Sequence, residues 1–226
     1  MTKNTTWFDY LSLVFSASMI ALVAAWTIQG NFLARVLETD RSMTWQLIRS
    51  TGLTAYILYT VSMVWGLALS SKIVKDWSPG TLSMLLHASV SWLGTGFAAI
   101  HALLLLFDEY VTYTIPEILI PFVGPYRPLA VGLGTLTFWI MLLVSFSFAI
   151  KKRLKHKRWK LLHMSSYAGF FMVTGHALFA GTDADKLGFQ VMVTLAVLLT
   201  IILTGYRMRA GKPAHRPSRR ASLQES

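Results

Sequence analysis

Four of the six histidines stand inside stretches that are otherwise apolar. His87 and His101 bound the segment HASVSWLGTGFAAIH, fourteen residues apart, and His163 and His176 bound HMSSYAGFFMVTGH, thirteen apart. An ionisable side chain in an apolar span is costly to keep there and by default marks function. An imidazole can ligate a metal, relay protons or hydrogen-bond between helices. At a rise of about 1.5 Å per residue, the first pair is separated by about 21 Å and the second by about 19.5 Å. If the two helices run the same way, each offers one inner and one outer imidazole at matching depth, His87 opposite His163 and His101 opposite His176. Imidazoles on opposed helices of a bundle fill both axial positions of a haem iron, so two stacked b-type haems are expected. Zinc wants three or four ligands close together rather than pairs about 20 Å apart, and a proton relay normally includes an acid. Neither fits well. One detail resists the simple picture: at about 100° per residue, fourteen steps rotate a side chain by about −40° but thirteen by about −140°. The second helix is therefore expected to depart from ideal winding between its ligands, with Gly169 and Gly175 as the places where it could, and the two porphyrins need not share one azimuth around the bundle.

The elements that position these residues are membrane spans. Of 226 residues, 54% are hydrophobic and 14% charged, against about 25% charged in typical soluble domains, and the mean hydropathy is +0.51. Six stretches meet the roughly 20-residue requirement for a spanning helix: 11–28, 51–70, 81–107, 129–150, 161–181 and 187–206. None carries Asp, Glu, Lys or Arg in its interior. The first is too long an apolar run for a signal peptide and is expected to span. The fold expected is an all-α polytopic membrane protein, six transmembrane helices bundled around two stacked b haems. The absence of cysteine excludes disulfides, iron–sulfur clusters and Cys-ligated zinc. The net charge of +11 sits beside apolar spans, where topology and lipid attraction account for it; nucleic acid is not expected as a partner.

Orientation follows the positive-inside rule. The loop KKRLKHKRWK is the densest basic segment and is expected to be cytoplasmic. Parity then places Lys3, Lys72, Lys75 and the tail's arginines inside as well, and leaves Arg35, Arg41, Arg49, Arg127 and Lys186 outside. Both termini are expected in the cytoplasm. By organisation, residues 1–45 form an N-terminal helix and outer loop, 46–186 the haem-binding core, 187–209 the sixth span, and 210–226 a disordered basic tail. The outer loop 108–128 carries Pro116, Pro121 and Pro125, which argue against a long helix. Its apolar character places it at the membrane interface, capping the outer face.

Other residues carry weaker signals. His156 and His215 lie in polar basic segments and read as solvated surface. Arg49 and Arg127 should stand at the outer ends of the second and fourth spans. Each either snorkels or pairs with a haem propionate, and both are cofactor-binding candidates. Arg158 and Lys160 are weaker candidates on the inner side. Gly94 and Gly96 suit helix packing better than macrocycle contact. Gly132 and Gly134 are no dinucleotide fingerprint, since no strand precedes them. Met84 and Met164 read as core filling rather than ligands.

These residues together resemble the ferric reductase-like transmembrane domain shared by ferric reductases, NADPH oxidases and the haem subunit of the periplasmic methionine sulfoxide reductase system. The resemblance covers about residues 46–186. It rests on the two His pairs, on RSTGLTAYILYTVSMVWGLALSS, on PYRPLAVGLGTLTFW and on KRWKLLHMSSYAG. It implies four histidines binding two b haems and passing electrons across the cytoplasmic membrane. About 20 residues follow the sixth span, too few for flavin or nicotinamide domains. The electron donor is thus expected to be a separate flavoprotein or a quinol, which the basic inner loop could receive. The function expected is electron entry at an inner haem and delivery to an outer-side acceptor, the chain being an oxidoreductase component. The alternative is a haem-carrying membrane subunit of a larger redox complex, partnered with a periplasmic reductase or a quinol-linked assembly. Diheme cytochromes reduced by ascorbate also pair histidines across helices; the unequal spacings and the second-span string argue against that family.

Overall fold

The computed structural model describes residues 41–74, 79–151 and 153–210. The expected first span, 11–28, and the basic tail lie outside the described residues. Within them the chain is all-helical, with no strand. The helices are α1 (Arg41–Ser70), α2 (Gly80–Leu104) with a 3-10 turn at Leu105–Phe107, the short α3 (Ile115–Leu119), α4 (Pro128–Ala149), α5 (His156–Ala180) and α6 (Leu187–Ala210).

Among the described residues four helices are long and apolar enough to cross a membrane: Met43–Ser70, Gly80–Phe107, Pro128–Ala149 and Leu187–Arg209. They correspond to four of the six expected spans. The expected span 161–181 is the core of α5, which has 25 residues but is not among the four. Its first turns carry Lys157, Arg158 and Lys160, and further along come Ser165, Ser166 and Thr174. These polar residues lower its mean hydropathy, although Leu161, Phe171 and Phe179 on its accessible side are apolar. The second expected span also begins earlier than 51, because nothing in RSMTWQLIRS breaks a helix.

α1 packs along α2 and α4 along α5, while α1 meets α5 and α2 meets α4, and α6 packs against α1 with Val193 and Ala196 in the shared core. α2 and α5, the histidine-bearing helices, are therefore the diagonal pair of a four-helix arrangement, and their backbones scarcely approach each other. The outward faces are apolar: Leu85, Leu93, Leu103, Leu143, Phe146, Leu195 and Ile202 are all exposed. So continuous an apolar surface is unusual for a soluble monomer and suits a hydrocarbon surround. Met84 and Met164, expected as core filling, belong to this outer surface.

The core between the helices is centred on Tyr56, Tyr59, Met63, Leu67, Met141 and Phe170. Phe170 is fully buried and stacks on Tyr56, with ring centroids 6.3 Å apart and planes 18° from parallel. The polar groups here are satisfied locally. Thr174 donates to the Phe170 carbonyl (2.8 Å), so the Tyr56 hydroxyl must be the donor to Thr174 Oγ1 at 3.3 Å. Tyr59 likewise donates to Thr95. Gly94 and Gly169 serve packing: a methyl on Gly94 would press on Tyr59, and one on Gly169 on Met141.

The outer connection folds as its prolines require. Only the five residues of α3 are helical, closed at the start by a Thr114–Glu117 capping box. The segment is tied back to α4 by the Trp139 Nε1–H, which donates to the Leu119 carbonyl at 2.9 Å. A Phe170→Ala substitution is expected to destabilise the bundle by about 3–5 kcal/mol, and Phe170→Leu by much less, in thermal unfolding followed by circular dichroism in detergent.

Candidate functional site

The diagonal helices bring the four histidines together in the two expected pairs. His87 and His163 have ring centroids 6.0 Å apart with planes at 73°. His101 and His176 stand 6.2 Å apart at 75°. Each pair joins α2 to α5, and the two pairs lie fourteen residues apart along α2 and thirteen along α5. α5 does this as an unbroken α-helix, contrary to the expected departure from ideal winding. The rings themselves take up the mismatch, because they lean toward different supports. His176 is drawn to α4, where its Nδ1 lies 2.9 Å from the Ala130 carbonyl. His163 instead stacks on Trp159 of its own helix, centroids 5.2 Å apart and planes within 14°.

Hydrogen bonds fix which ring nitrogen carries the proton. A carbonyl only accepts, so the His176 nitrogen facing Ala130 is Nδ1–H. The same holds for His101, whose Nδ1 lies 2.7 Å from the Ile48 carbonyl on α1. For His87 the assignment follows through two serines. Ser91 donates to the His87 carbonyl (2.7 Å), so its contact with Ser62 at 2.6 Å has Ser62 as donor. Ser62 Oγ then accepts from His87 Nδ1 at 3.3 Å. Three of the four imidazoles thus carry their proton on Nδ1 and keep an unprotonated Nε2. That is the arrangement by which proteins orient ligating histidines.

Glycines make room for these rings. A methyl added at Gly52 or Gly134 would come within 2.8 Å of His101 or His176 respectively, and one at Gly66 within 2.9 Å of His87. Gly52 and Gly66 are fourteen residues apart on α1, matching the spacing of His87 and His101 on the neighbouring antiparallel helix. That correspondence is in the sequence but carries meaning only once α1 is known to lie along α2.

The outer pair opens on a cavity of about 1180 Å³ lined by His101, His176, Gly52, Gly134, Tyr56, Tyr59 and Phe138. The proline-rich connection 108–127 contributes Tyr110, Tyr113 and Tyr126. Arg49 and Arg127 both line this cavity. Arg49 is engaged in a fork with Asp183, its Nε and Nη2 reaching the two carboxylate oxygens at 2.9 and 2.5 Å. Arg127, in a left-handed backbone conformation ahead of α4, donates to the Phe179 carbonyl. At the other end of the bundle, near His163, Arg158 and Lys160 are exposed. The cations near His163 are Lys151, over the Trp159 ring at 4.1 Å, and Arg207 of α6, which reaches the Tyr167 hydroxyl. The sequence signal for Trp159 is its i, i+4 spacing to His163, which puts both on one helical face.

Among the described residues no three or more His, Cys, Asp or Glu gather around one point. Each imidazole pair can supply two ligands, enough for a metal whose other donors arrive with it. No family model, curated protein or solved structure matches the chain.

The Arg49 fork, and after it Lys186, holds the Asp183 carboxyl below the usual carboxylate range. A depressed carboxylate pKa stabilises the fold above the unfolded value and loses that contribution as pH falls through the folded value. The melting-temperature difference between the native chain and Asp183→Asn should therefore be constant above about pH 5 and shrink below about pH 4.

Proposed function

We propose that the imidazole pairs His87–His163 and His101–His176 are the axial ligands of two b-type haems, and that the chain is a transmembrane electron conduit of the ferric reductase-like kind. The observation that carries this reading is the ring geometry. A metal–imidazole bond of about 2 Å on each side, plus about 1 Å from each Nε2 to its ring centre, puts the centroids of a bis-imidazole site roughly 6 Å apart. Both pairs have that separation. The proton assignments leave Nε2 free on His87, His101 and His176. A porphyrin brings its own four in-plane donors, which is why two histidines suffice. The outer cavity exceeds the usual ~300–1,000 Å³ of ligand sites.

Bound haem would supply reversible one-electron chemistry at each level. The residues of this chain hold the rest in place. Ile48 and Ala130 accept from the imidazole Nδ1–H groups and fix ring orientation. Gly52, Gly66 and Gly134 let the rings sit against the helix backbone. Arg49 and Arg127 line the outer cavity, where a propionate could share the guanidinium that Asp183 now occupies.

With a negative cytoplasm, outward transfer of one electron releases about 2.3 kcal/mol per 100 mV, so the field favours entry on the inner side and delivery outside. The inner and outer sides are those of the positive-inside orientation, and the membrane is the cytoplasmic one. The donor is a separate flavoprotein or quinol meeting the basic inner face, and the acceptor lies outside.

A pyridine haemochrome assay on the purified protein should give two b haems per chain. His101→Ala should remove one of them while the other stays, and Gly134→Ala should lower occupancy of the same outer site by displacing His176. Unchanged haem content in single alanine variants of all four histidines would refute the ligand assignment.

A further inference from the structure

The Trp159 indole Nε1–H is buried and meets no acceptor. A buried donor left unpaired costs about 1–3 kcal/mol, so such a group in a folded protein calls for an explanation. Its surroundings are specific. One face of the ring stacks on His163, and the Lys151 ammonium stands over the ring at 4.1 Å. A cation over an indole draws electron density from it and strengthens its N–H as a donor. Arg207 comes from α6 to Tyr167, one turn along α5 from His163. Donor and cations together want an anionic oxygen. Among the described residues no carboxylate forms an ion pair with either cation.

We propose that Trp159, Lys151 and Arg207 form a carboxylate-binding subsite beside the inner imidazole pair, Trp159 donating through Nε1–H and the two cations supplying counter-charge. The carboxylate is a propionate of the haem held by His87 and His163. This assignment rests on the two-haem reading and extends it to the inner site, where neither Arg158 nor Lys160 is placed to help. A propionate held in this way has its negative charge offset, which favours the reduced iron. Removing the donor or the ammonium uncovers that charge and favours the oxidised form.

The test is a potentiometric titration of the His101→Ala chain, in which the inner haem is the remaining chromophore. Trp159→Phe keeps the stack on His163 and drops the N–H; Lys151→Gln keeps the stem and drops the charge. Each is expected to leave haem content intact and to shift the reduction equilibrium about tenfold toward the oxidised form, which is 59 mV for one electron. Lys151→Arg should restore most of the shift. Reconstitution with haem dimethyl ester, which lacks free propionates, should abolish the difference between the variants and their parent. Loaded variants that titrate like the parent would overturn the subsite and leave the two-haem reading standing. Shifts that persist with the ester would overturn the propionate as the carboxylate, pointing to a free anion. Should Trp159→Phe fail to fold, Lys151→Gln and its arginine rescue decide alone. A native chain without a Soret band would bring down both readings.

Discussion

Two imidazoles about 6 Å apart with steeply crossed planes, set across the diagonal of a helix bundle, are the constraint on which the architecture turns. Helices that touch along their backbones leave no room for opposed rings, while helices standing too far apart cannot bring them within 6 Å. α2 and α5 meet the condition because α1 and α4 stand between them and take the close contacts instead. The same intervening helices carry Gly52, Gly66 and Gly134, so the rings gain the space a side chain would have taken. They also carry the Ile48 and Ala130 carbonyls that orient two of the rings. Space and orientation thus come from one pair of helices and the ligand atoms from the other.

The two levels are built differently. At the level of His101 and His176 both rings are held by backbone carbonyls beside a large cavity lined by the proline-rich connection and the Arg49–Asp183 fork. Carbonyl positions are set by helix geometry and do not depend on a side-chain rotamer, which makes this a rigid mount. At the inner level His87 is held through a serine pair and His163 by stacking on Trp159, under the charge of Lys151. Stacking fixes the plane of a ring but leaves its in-plane rotation freer. The basic segment KKRLKHKRWK contains both Lys151 and Trp159, so the groups beside the His87–His163 pair come from one short stretch of chain.

Much of the candidate site was legible because its signals are local. His87, His101, His163 and His176 stand out against apolar surroundings, and a constant helical rise turns sequence separation into depth. The angular mismatch of α5 was equally visible but pointed the wrong way. It assigned to the backbone a discrepancy that side chains absorb, since an imidazole can lean by several ångströms toward whichever neighbour offers an acceptor. Arg158 and Lys160 are close to His163 along the chain but are exposed, while Trp159, one helical turn before His163, stacks on it. Arg207 could not have been singled out, because its approach to Tyr167 depends on how α6 docks.

The sequence by itself determined the helical character, the apolar spans among the described residues and the matched depth of two histidine pairs, because hydropathy and helical rise act over short stretches of chain. Tertiary packing decided which helices stand diagonally, which carbonyls fix the ring protons, that Asp183 occupies the fork of Arg49, and that three glycines on neighbouring helices face imidazoles. Each of these is a contact between segments far apart in the chain, and its energy depends on distance in space, which residue order does not encode one pair at a time.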